Sequence, residues 1–468
     1  MLVIRRFVTL HHHHRHHRLH GDVMELRKSR FNFFIPLANN YYILYNTFSG
    51  AIALIDKEVK NCIEKEDFSK IPPAMLNYLQ KQEFIIPSSL DEIKRYQYYF
   101  FKNAFSIESI SYTILTTYDC NFACIYCYER LRKMTSPVYM DLSIAKQAVE
   151  YIKRGAKSSN CKKIHIVLYG GEPLLNLNPA MYILENTRRF CLKNDIELIT
   201  NLITNGSLMT KEVINKLLNY NLRGVQVTVD GIREIHDKRR PFKNGRGSFD
   251  IIMKNIIDTI DLLPPKTIVI RSNIDKTNYK DYPMLLDYLA DLGLKDKIRI
   301  DISPLSGIPA DISCPITMLK GKELAGIIFE LWKVAMEKGF EFWWEPSIMV
   351  CAAKQVAAEA IDPKGNVYKC WGLIADERFC VRNIREDKYR PIFYEYITAN
   401  MSLPRKCKEC NILPFCGGGC LHESHIRTGK PFSITCADFL SKEMLETKIK
   451  LYVIRKYKSI LKEKGITL

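Results

Sequence analysis

The sequence predicts an α/β fold: a partial (β/α)6 barrel between a small N-terminal α+β domain and a Cys-rich C-terminal domain. Apolar runs alternate with amphipathic stretches between about residues 108 and 340, which predicts parallel strands covered by helices. Glycine and polar residues follow these strands, where the sites of such barrels lie. The strand candidates are 111–117, 163–169, 196–203, 223–229, 266–273 and 297–303. The helix candidates are 142–155, 178–193, 210–219, 248–262, 280–292 and 320–338.

Composition narrows the class of protein. The chain has 468 residues, of which 47% are hydrophobic, and this length predicts two to four domains. No apolar run is long enough to span a bilayer, and the net charge of +18 is spread along the chain, so neither a membrane nor a nucleic-acid partner is expected. In a large chain without a convincing signal peptide, 15 cysteines indicate metal ligands in a reducing, cytoplasmic compartment.

The chain is expected to divide into five parts. A His-rich leader is interpreted as tag-like or disordered rather than metal-binding. A small domain follows, with strands at 31–35 and 41–45, helices at 54–64 and 73–83, and a helical connector at 90–105. The predicted boundaries are 1–24 for the leader, 25–105 for the small domain, 106–340 for the barrel, 341–440 for the Cys-rich domain and 441–468 for a C-terminal helix.

Three cysteines follow the first barrel strand at gaps of three and two residues: Cys120, Cys124 and Cys127. A four-iron, four-sulfur cluster normally takes four thiolates, so three thiolates leave one iron open. The amino and carboxylate groups of S-adenosylmethionine (SAM) are the candidate ligands for that iron. A zinc knuckle or three unrelated core thiols are the alternatives, although zinc sites usually contain paired CxxC motifs.

Residues at the ends of the next strands supply candidate contacts to SAM. Gly170 and Gly171 allow close approach of the backbone, so that a carbonyl or Glu172 can accept from the methionine ammonium group. Asn205 is placed to meet the ribose hydroxyls, and Arg271 is suited to pair with the methionine carboxylate. Tyr126, beside the last cysteine of the loop, is a candidate to flank the adenine.

Together these motifs resemble the radical SAM superfamily. The matching elements are CxxxCxxC with an aromatic residue before the last Cys, GGEP at 170–173, and a segment from Asp230 to Ser248 with the form DG…HD.RR…G.GS. The resemblance implies a TIM-like radical SAM barrel that cleaves SAM to a 5′-deoxyadenosyl radical. It also implies a low-potential electron donor of the flavodoxin or ferredoxin type, and a winged-helix-like N-terminal domain that either binds peptide or caps the barrel.

The Cys-rich region resembles a SPASM domain, with the pattern C-x(9–15)-G-x4-C, then C-x2-C-x5-C-x3-C, then C. The resemblance implies two auxiliary iron–sulfur clusters. One would be held by Cys407, Cys410, Cys416 and Cys436, and the other by Cys351, Cys370 and Cys420.

Two departures from the SPASM pattern bear on chemistry. No cysteine occurs at 352–357, where some relatives have a fourth ligand, so the first auxiliary cluster either has an open iron or uses Cys380. Trp371 occupies the position where sulfatase-maturating members tend to carry an Asp base, which counts against formylglycine formation.

The expected function is therefore oxidative modification of a peptide or protein by a radical SAM enzyme. The expected product is a thioether or carbon–carbon crosslink in a ribosomally made peptide. The alternatives are sulfatase maturation, oxidation of a small cofactor or tetrapyrrole precursor, and a non-catalytic electron carrier or zinc-stabilised binding module.

Overall fold

The computed structural model describes residues 25–127, 137–307 and 317–466, so the predicted leader at 1–24 lies outside the described residues. The N-terminal part contains a three-stranded antiparallel sheet in the order β2-β3-β4 and a separate antiparallel pair, β1 with β5. Its elements are β1 (Leu26–Lys28), β2 (Asn32–Pro36), β3 (Tyr41–Asn46), β4 (Ile52–Asp56), α1 (Lys57–Lys65), α2 (Pro73–Lys81), β5 (Ile85–Pro87) and α3 (Glu92–Ala104).

The predicted start of the helix at 54–64 was wrong. Residues 52–55 are buried and pair with β3 as the edge strand β4. The helix begins only at Lys57, because the carboxylate of Asp56 accepts a hydrogen bond from the backbone N–H of Val59 (2.9 Å) and caps its first turn.

The central sheet confirms the predicted partial barrel. Strands β6 to β11 run parallel in sequence order, and β11 ends the sheet while β6 pairs onward with β12, so the six strands do not close on themselves. Most of the observed bounds lie within two residues of those predicted. The elements are β6 (Ser109–Leu115), α4 (Leu142–Ser159), β7 (Lys163–Tyr169), α5 (Leu177–Lys193), β8 (Glu197–Thr204), α6 (Lys211–Leu218), β9 (Leu222–Thr228), α7 (Arg233–Arg239), α8 (Phe249–Thr259), β10 (Ile268–Ile274), α9 (Tyr282–Asp291), β11 (Ile298–Pro304) and α10 (Gly321–Glu337).

The register places the carboxyl ends of these strands at one edge. Leu115 pairs with Tyr169, Thr204 with Val227, and Ile274 with Pro304. Each parallel strand is followed by a chain segment that returns along the outside of the sheet, as expected for right-handed βαβ units. The loops that follow the strands are therefore gathered at this edge.

The Cys-rich region extends the same sheet. Strand β12 pairs parallel to β6, and β13 and β14 add antiparallel, giving nine strands. Hydrogen bonding thus continues across the expected boundary at 340, and the division into domains stays a prediction. The elements are β12 (Ala358–Ile361), β13 (Asn366–Tyr368), β14 (Cys380–Asn383), α11 (Pro391–Thr398), α12 (Arg405–Lys408), α13 (Leu413–Cys416), α14 (Leu421–Thr428) and α15 (Lys442–Glu463).

The last helix, α15, packs along α10. The hydroxyl of Thr447 donates to the carbonyl oxygen of Ala325 (3.0 Å) across this contact. No helix within the described ranges is long and apolar enough to cross a membrane.

Candidate active site and cysteine groups

The loop after β6 brings Cys120, Cys124 and Cys127 to the wall of one cavity of about 480 Å³. The Cys120 sulfur accepts hydrogen bonds from the backbone N–H of Phe122 (3.4 Å) and from Nδ2 of Asn205 (3.6 Å). Burial raises the pKa of Cys120 to about 12, and the nearby Glu172 carboxyl adds to the rise, as do the thiols of Cys124 and Cys127. A positive charge at this site would favour the thiolates that ligate metal.

Backbone hydrogen bonds hold the loop against the segment that follows α7. The N–H of Ala123 donates to Pro241 O (2.8 Å), and the N–H of Ile125 donates to Arg239 O (3.0 Å). The cysteines are therefore held by peptide groups of another strand–helix unit as well as by their own strand.

Gly170 and Gly171, at the end of β7, pack directly against this loop. A Cβ at Gly170 would lie 2.5 Å from Thr117 O, and a Cβ at Gly171 would lie 2.1 Å from Asp119 O. The φ of Gly170 is also 137°, in the region that favours glycine. Both glycines line the cavity, but the contact that demands glycine here is with the cysteine loop itself.

Glu172 is fully buried and bridges strand ends. Its carboxylate accepts hydrogen bonds from Asn205 N–H (2.7 Å), Thr204 Oγ1 (2.8 Å) and Leu174 N–H (3.1 Å). Burial nevertheless raises its pKa to about 7. Glu172 is not among the residues lining the cavity, and its hydrogen bonds tie the end of β7 to the end of β8.

Asn205 does line the cavity. Its Nδ2 donates to Oδ1 of Asn121 (2.7 Å) as well as to the Cys120 sulfur, and its Oδ1 accepts from the N–H (2.9 Å) and the hydroxyl (2.7 Å) of Ser207. The side chain is thereby held between the cysteine loop and the turn that follows β8.

Tyr126 belongs to a buried polar network. Its hydroxyl donates to Asp230 Oδ2 (2.5 Å) and accepts from Arg240 Nη1 (2.8 Å) and Asn273 Nδ2 (3.1 Å). The guanidinium of Arg239 lies 5.1 Å from the centre of its ring, within range of a cation–π contact. Asp230 is fully buried in this network, in keeping with a mainly structural role.

Two arginines line the cavity, and they differ in what they bind. Arg271 Nη1 pairs with Asp301 (2.9 Å), and its Nε donates to Asn273 Oδ1 (3.3 Å). Arg240 is buried, and its Nε has no hydrogen-bond partner among the described residues. Sequence reasoning missed Arg240, because the segment from Asp230 to Ser248 was used only as a family motif and not as a source of SAM contacts. The pair Arg239-Arg240, which follows the end of β9, was the sequence signal that could have identified it.

Trp371 also lines this cavity, although it belongs to the Cys-rich region. Its ring stacks on that of Tyr169, with centroids 5.0 Å apart and planes 21° from parallel. Tyr169 ends β7, so the stack joins the edge of the barrel to the residue that follows Cys370. The cavity thus lies between the cysteine loop of the barrel and the first cysteines of the C-terminal region.

Four C-terminal cysteines form a first neighbourhood, called here the 407 group: Cys407, Cys410, Cys416 and Cys436. After burial itself, the Cys436 thiol is the largest contributor to the raised pKa of Cys407, and Cys410 contributes too. Burial also raises the pKa of Cys416 to about 11, and the thiols of Cys410 and Cys407 add to that shift.

Cys351, Cys370 and Cys420 form a second neighbourhood, the 351 group. The raised pKa of Cys420 reflects burial first and then the Cys351 thiol. Cys370 and Cys351 both affect the buried phenol of Tyr396. The grouping used here is the one that the SPASM resemblance implies, and the assignment of these cysteines to clusters stays a prediction.

Three glycines separate Cys416 of one group from Cys420 of the other. Gly417, Gly418 and Gly419 all have positive φ (57°, 78° and 83°), a run that other residues adopt only with strain. Glycine is therefore favoured at every position of the turn between these two cysteines.

Cys380, the other candidate ligand of the first auxiliary cluster, is buried. It belongs to β14, and its thiol donates to Arg382 O (3.1 Å). Over the ranges that the structure describes, no set of three or more His, Cys, Asp or Glu side chains is arranged to hold a metal ion.

The loop of three cysteines lies in the part of the chain that matches a family model. Residues 114–289 match the model of the radical SAM superfamily, and this part of the chain is a radical SAM domain. The resemblance drawn from the CxxxCxxC and GGEP motifs is confirmed.

The relatives identified by sequence differ in how much of their length is shared. The chain is 24% identical over 376 residues to the cysteine-type anaerobic sulfatase-maturating enzyme of Clostridium novyi, covering 69% of this chain and 91% of that enzyme. It is 31% identical over 145 residues to an uncharacterized protein of Methanocaldococcus jannaschii, covering 30% of this chain and 46% of that protein. The chain therefore spans less than half of the latter relative's length.

Solved structures share the fold. Native anSMEcpe with bound AdoMet and Cp18Cys peptide superposes with a TM-score of 0.58 at 18% identity, covering 75% of this chain and 99% of that chain. Streptococcus suis SuiB bound to precursor peptide SuiA gives a TM-score of 0.50 at 15% identity, covering 89% of this chain and all of that chain (100%). At these identities the likeness establishes the fold alone.

The contact between Gly171 and the cysteine loop generates a first prediction. Gly171→Ala places a Cβ against the Asp119 carbonyl, and neither backbone can yield without moving Cys120. We expect the variant to lose at least about tenfold in SAM cleavage, together with iron from this site. Gly326→Ala, in α10 with no atom within 4 Å of the added Cβ, is the matched control and should behave as wild type. Normal SAM cleavage by Gly171→Ala would show that the loop tolerates displacement.

Proposed function

We propose that this protein is a radical SAM enzyme that oxidatively modifies a peptide or protein. The observation that carries the proposal is that one cavity is lined by Cys120, Cys124 and Cys127 and also by Arg240 and Trp371. A four-iron, four-sulfur cluster bound by the three thiolates would supply the electron that cleaves bound SAM to a 5′-deoxyadenosyl radical.

The chemistry of the residues present suits such a cofactor, although the thiols of the described residues are not gathered around a single metal ion. Three thiols share the cavity wall, and the buried Nε of Arg240 is an orphaned donor beside them. A buried guanidinium N–H without a partner is costly unless a ligand accepts from it. We therefore assign the methionine carboxylate to Arg240 in preference to Arg271, whose guanidinium is already engaged by Asp301.

The other candidate contacts take supporting roles. Asn205 is placed to donate to a cluster thiolate, since its Nδ2 already lies 3.6 Å from the Cys120 sulfur. Gly170 and Gly171 keep the loop seated, and Glu172 holds the strand ends that carry Asn205. Tyr126 fixes the loop through Asp230 and Arg240, and it also lines the cavity, which keeps it a candidate contact to the adenine.

The 407 and 351 groups are proposed to hold two auxiliary iron–sulfur clusters. The 351 group supplies three thiols. The Cys380 thiol is hydrogen-bonded to Arg382 O, which supports an open iron in this cluster. Because the Tyr169–Trp371 stack joins this region to the cavity, a substrate bound there would lie between the SAM site and the first auxiliary cluster.

One observation favours a peptide substrate, and a second favours crosslink formation. The solved structures of the same fold include complexes with peptides. Trp371 leaves no acid at the position expected to deprotonate a sulfatase Cys or Ser, which favours crosslink formation. Sulfatase maturation remains the second candidate, because the sulfatase-maturating relative aligns over 91% of its length. An electron donor of the flavodoxin or ferredoxin type and a reducing, cytoplasmic compartment complete the proposal.

Iron content tests the cofactor assignment. Anaerobically purified and reconstituted protein should contain about twelve iron with matching sulfide if all three clusters are of the four-iron type. Cys124→Ala should abolish 5′-deoxyadenosine formation while retaining about eight iron. Zinc without sulfide would favour a binding module, and normal SAM cleavage by Cys124→Ala would refute the assignment of the loop.

The two arginines of the cavity allow a direct test of SAM recognition. Arg240→Gln should weaken SAM binding at least about tenfold, since a charge-assisted hydrogen bond contributes about 1.5–3 kcal/mol. Arg271→Gln is the matched variant and should bind SAM nearly normally. Equilibrium dialysis with cluster-loaded protein of equal iron content measures both, and the reverse ranking would return the carboxylate to Arg271.

The mass of a co-expressed peptide tests the substrate class. The enzyme is expressed anaerobically with short open reading frames adjacent to its gene, and each peptide is weighed. Loss of paired hydrogens, absent with Cys124→Ala, is the expected result and locates the crosslinked residues. An unchanged mass in a preparation that cleaves SAM would favour a sulfatase or a small molecule.

A further inference from the structure

The side chain of Lys354 is buried in the Cys-rich region at 1% exposure. Its Nζ donates to Asn400 Oδ1 (2.9 Å) and to the carbonyl oxygens of Gly417 (2.7 Å) and Gly419 (3.4 Å). All three acceptors are neutral. Burying an ammonium among neutral acceptors is costly unless negative charge lies nearby.

The position of the ammonium indicates where that negative charge lies. Gly417 directly follows Cys416 of the 407 group, and Gly419 directly precedes Cys420 of the 351 group. Nζ is hydrogen-bonded to both ends of the glycine turn that separates the two groups. Lys354 is also part of the short turn that begins after Cys351.

The electrostatics of Lys354 agree with this geometry. Burial lowers its pKa, and the groups that oppose this shift are four thiols, those of Cys351, Cys416, Cys420 and Cys407. These thiols come from both groups. Among the described residues, no carboxylate forms an ion pair with Lys354. The negative charge that balances its ammonium group must therefore come from thiolates of these cysteines and the clusters proposed to bind there.

Tyr396 provides independent evidence that a hydrogen-bond acceptor binds beside the 351 group. Its ring is fully buried, and its hydroxyl has no hydrogen-bond partner among the described residues. After burial, the nearby Cys370 thiol is the largest contributor to its raised pKa, and Cys351 contributes as well. An orphaned phenol beside the 351 group is satisfied once a cluster supplies thiolate or sulfide acceptors.

We propose that Lys354 is a shared electrostatic positioning residue whose fixed positive charge raises the reduction potentials of both auxiliary clusters. This inference rests on the proposed function, because it requires the two clusters. Each cluster with its thiolates is net negative and becomes more so on reduction, so a buried cation between the two stabilises both reduced states. The clusters are thereby biased towards accepting an electron released from the substrate.

Redox titration followed by electron paramagnetic resonance (EPR) tests the inference. The full-length chain carries Cys120→Ala, Cys124→Ala and Cys127→Ala, so that only auxiliary-cluster signals remain. Lys354→Gln is introduced into this background, because it removes the charge but keeps a hydrogen-bond donor. Lys354→Arg keeps the charge. Lys448→Gln is the matched control, since Lys448 is a half-buried lysine whose pKa is lowered by burial, but the charge that acts on it is that of Asp301 and not of a thiol.

We expect Lys354→Gln to retain auxiliary iron and to weaken reduction of both clusters about tenfold, a shift of about 59 mV to lower potential for one electron. Lys354→Arg and Lys448→Gln should stay close to the parent. Unchanged potentials in Lys354→Gln, or a shift of only one cluster, would overturn the inference and leave the proposed function intact.

The iron content separates the remaining outcomes. Loss of auxiliary iron in every Lys354 variant, Arg included, would show that the residue only braces the glycine turn, and would overturn the redox role. Loss in Lys354→Gln that Lys354→Arg prevents would support the need for a positive charge. A parent chain without auxiliary iron would overturn the proposed clusters and the role of Lys354 together.

Discussion

The contact between the end of β7 and the loop after β6 determines what the rest of the site can do. Gly171 approaches the Asp119 carbonyl so closely that no side chain fits, and the next residue, Glu172, accepts hydrogen bonds from the end of β8. A buried carboxylate held by three donors is rigid, because losing any one of them leaves a buried polar group unsatisfied. The position of Cys120 therefore depends on three neighbouring strand ends.

This constraint explains why motifs that are weak alone became informative together. Gly170, Gly171 and Glu172 are an ordinary turn by composition, yet in the structure they bear on the loop of cysteines that precedes them by some fifty residues. The parallel sheet brings such distant segments together at one edge. Sequence periodicity predicted that sheet well because each buried strand alternates with an amphipathic helix.

What the sequence could not provide was the state of individual side chains. Arg271 and Arg240 are alike as residues, and only the structure shows that one is paired with Asp301 while the other keeps a buried N–H unpartnered. Likewise, the sequence of residues 52–55 is compatible with a helix or a strand. These residues form a strand because they pair with β3. The strands of the Cys-rich region were missed because they are short and because β12, which attaches them to the sheet, pairs with β6, more than two hundred residues away.

That pairing has a consequence for chemistry. Because β12 continues the barrel sheet, the Cys-rich region is attached by backbone hydrogen bonds to the strand that carries the cysteine loop. The stack of Trp371 on Tyr169 adds a second attachment at the mouth of the cavity. These two attachments limit movement of the 351 group relative to the cavity, whereas a flexible linker would allow it. If the 351 group holds an auxiliary cluster, as proposed, an electron that leaves a substrate in this cavity would have an acceptor at a constant distance, and the positive charge of Lys354 would favour reduction of that acceptor.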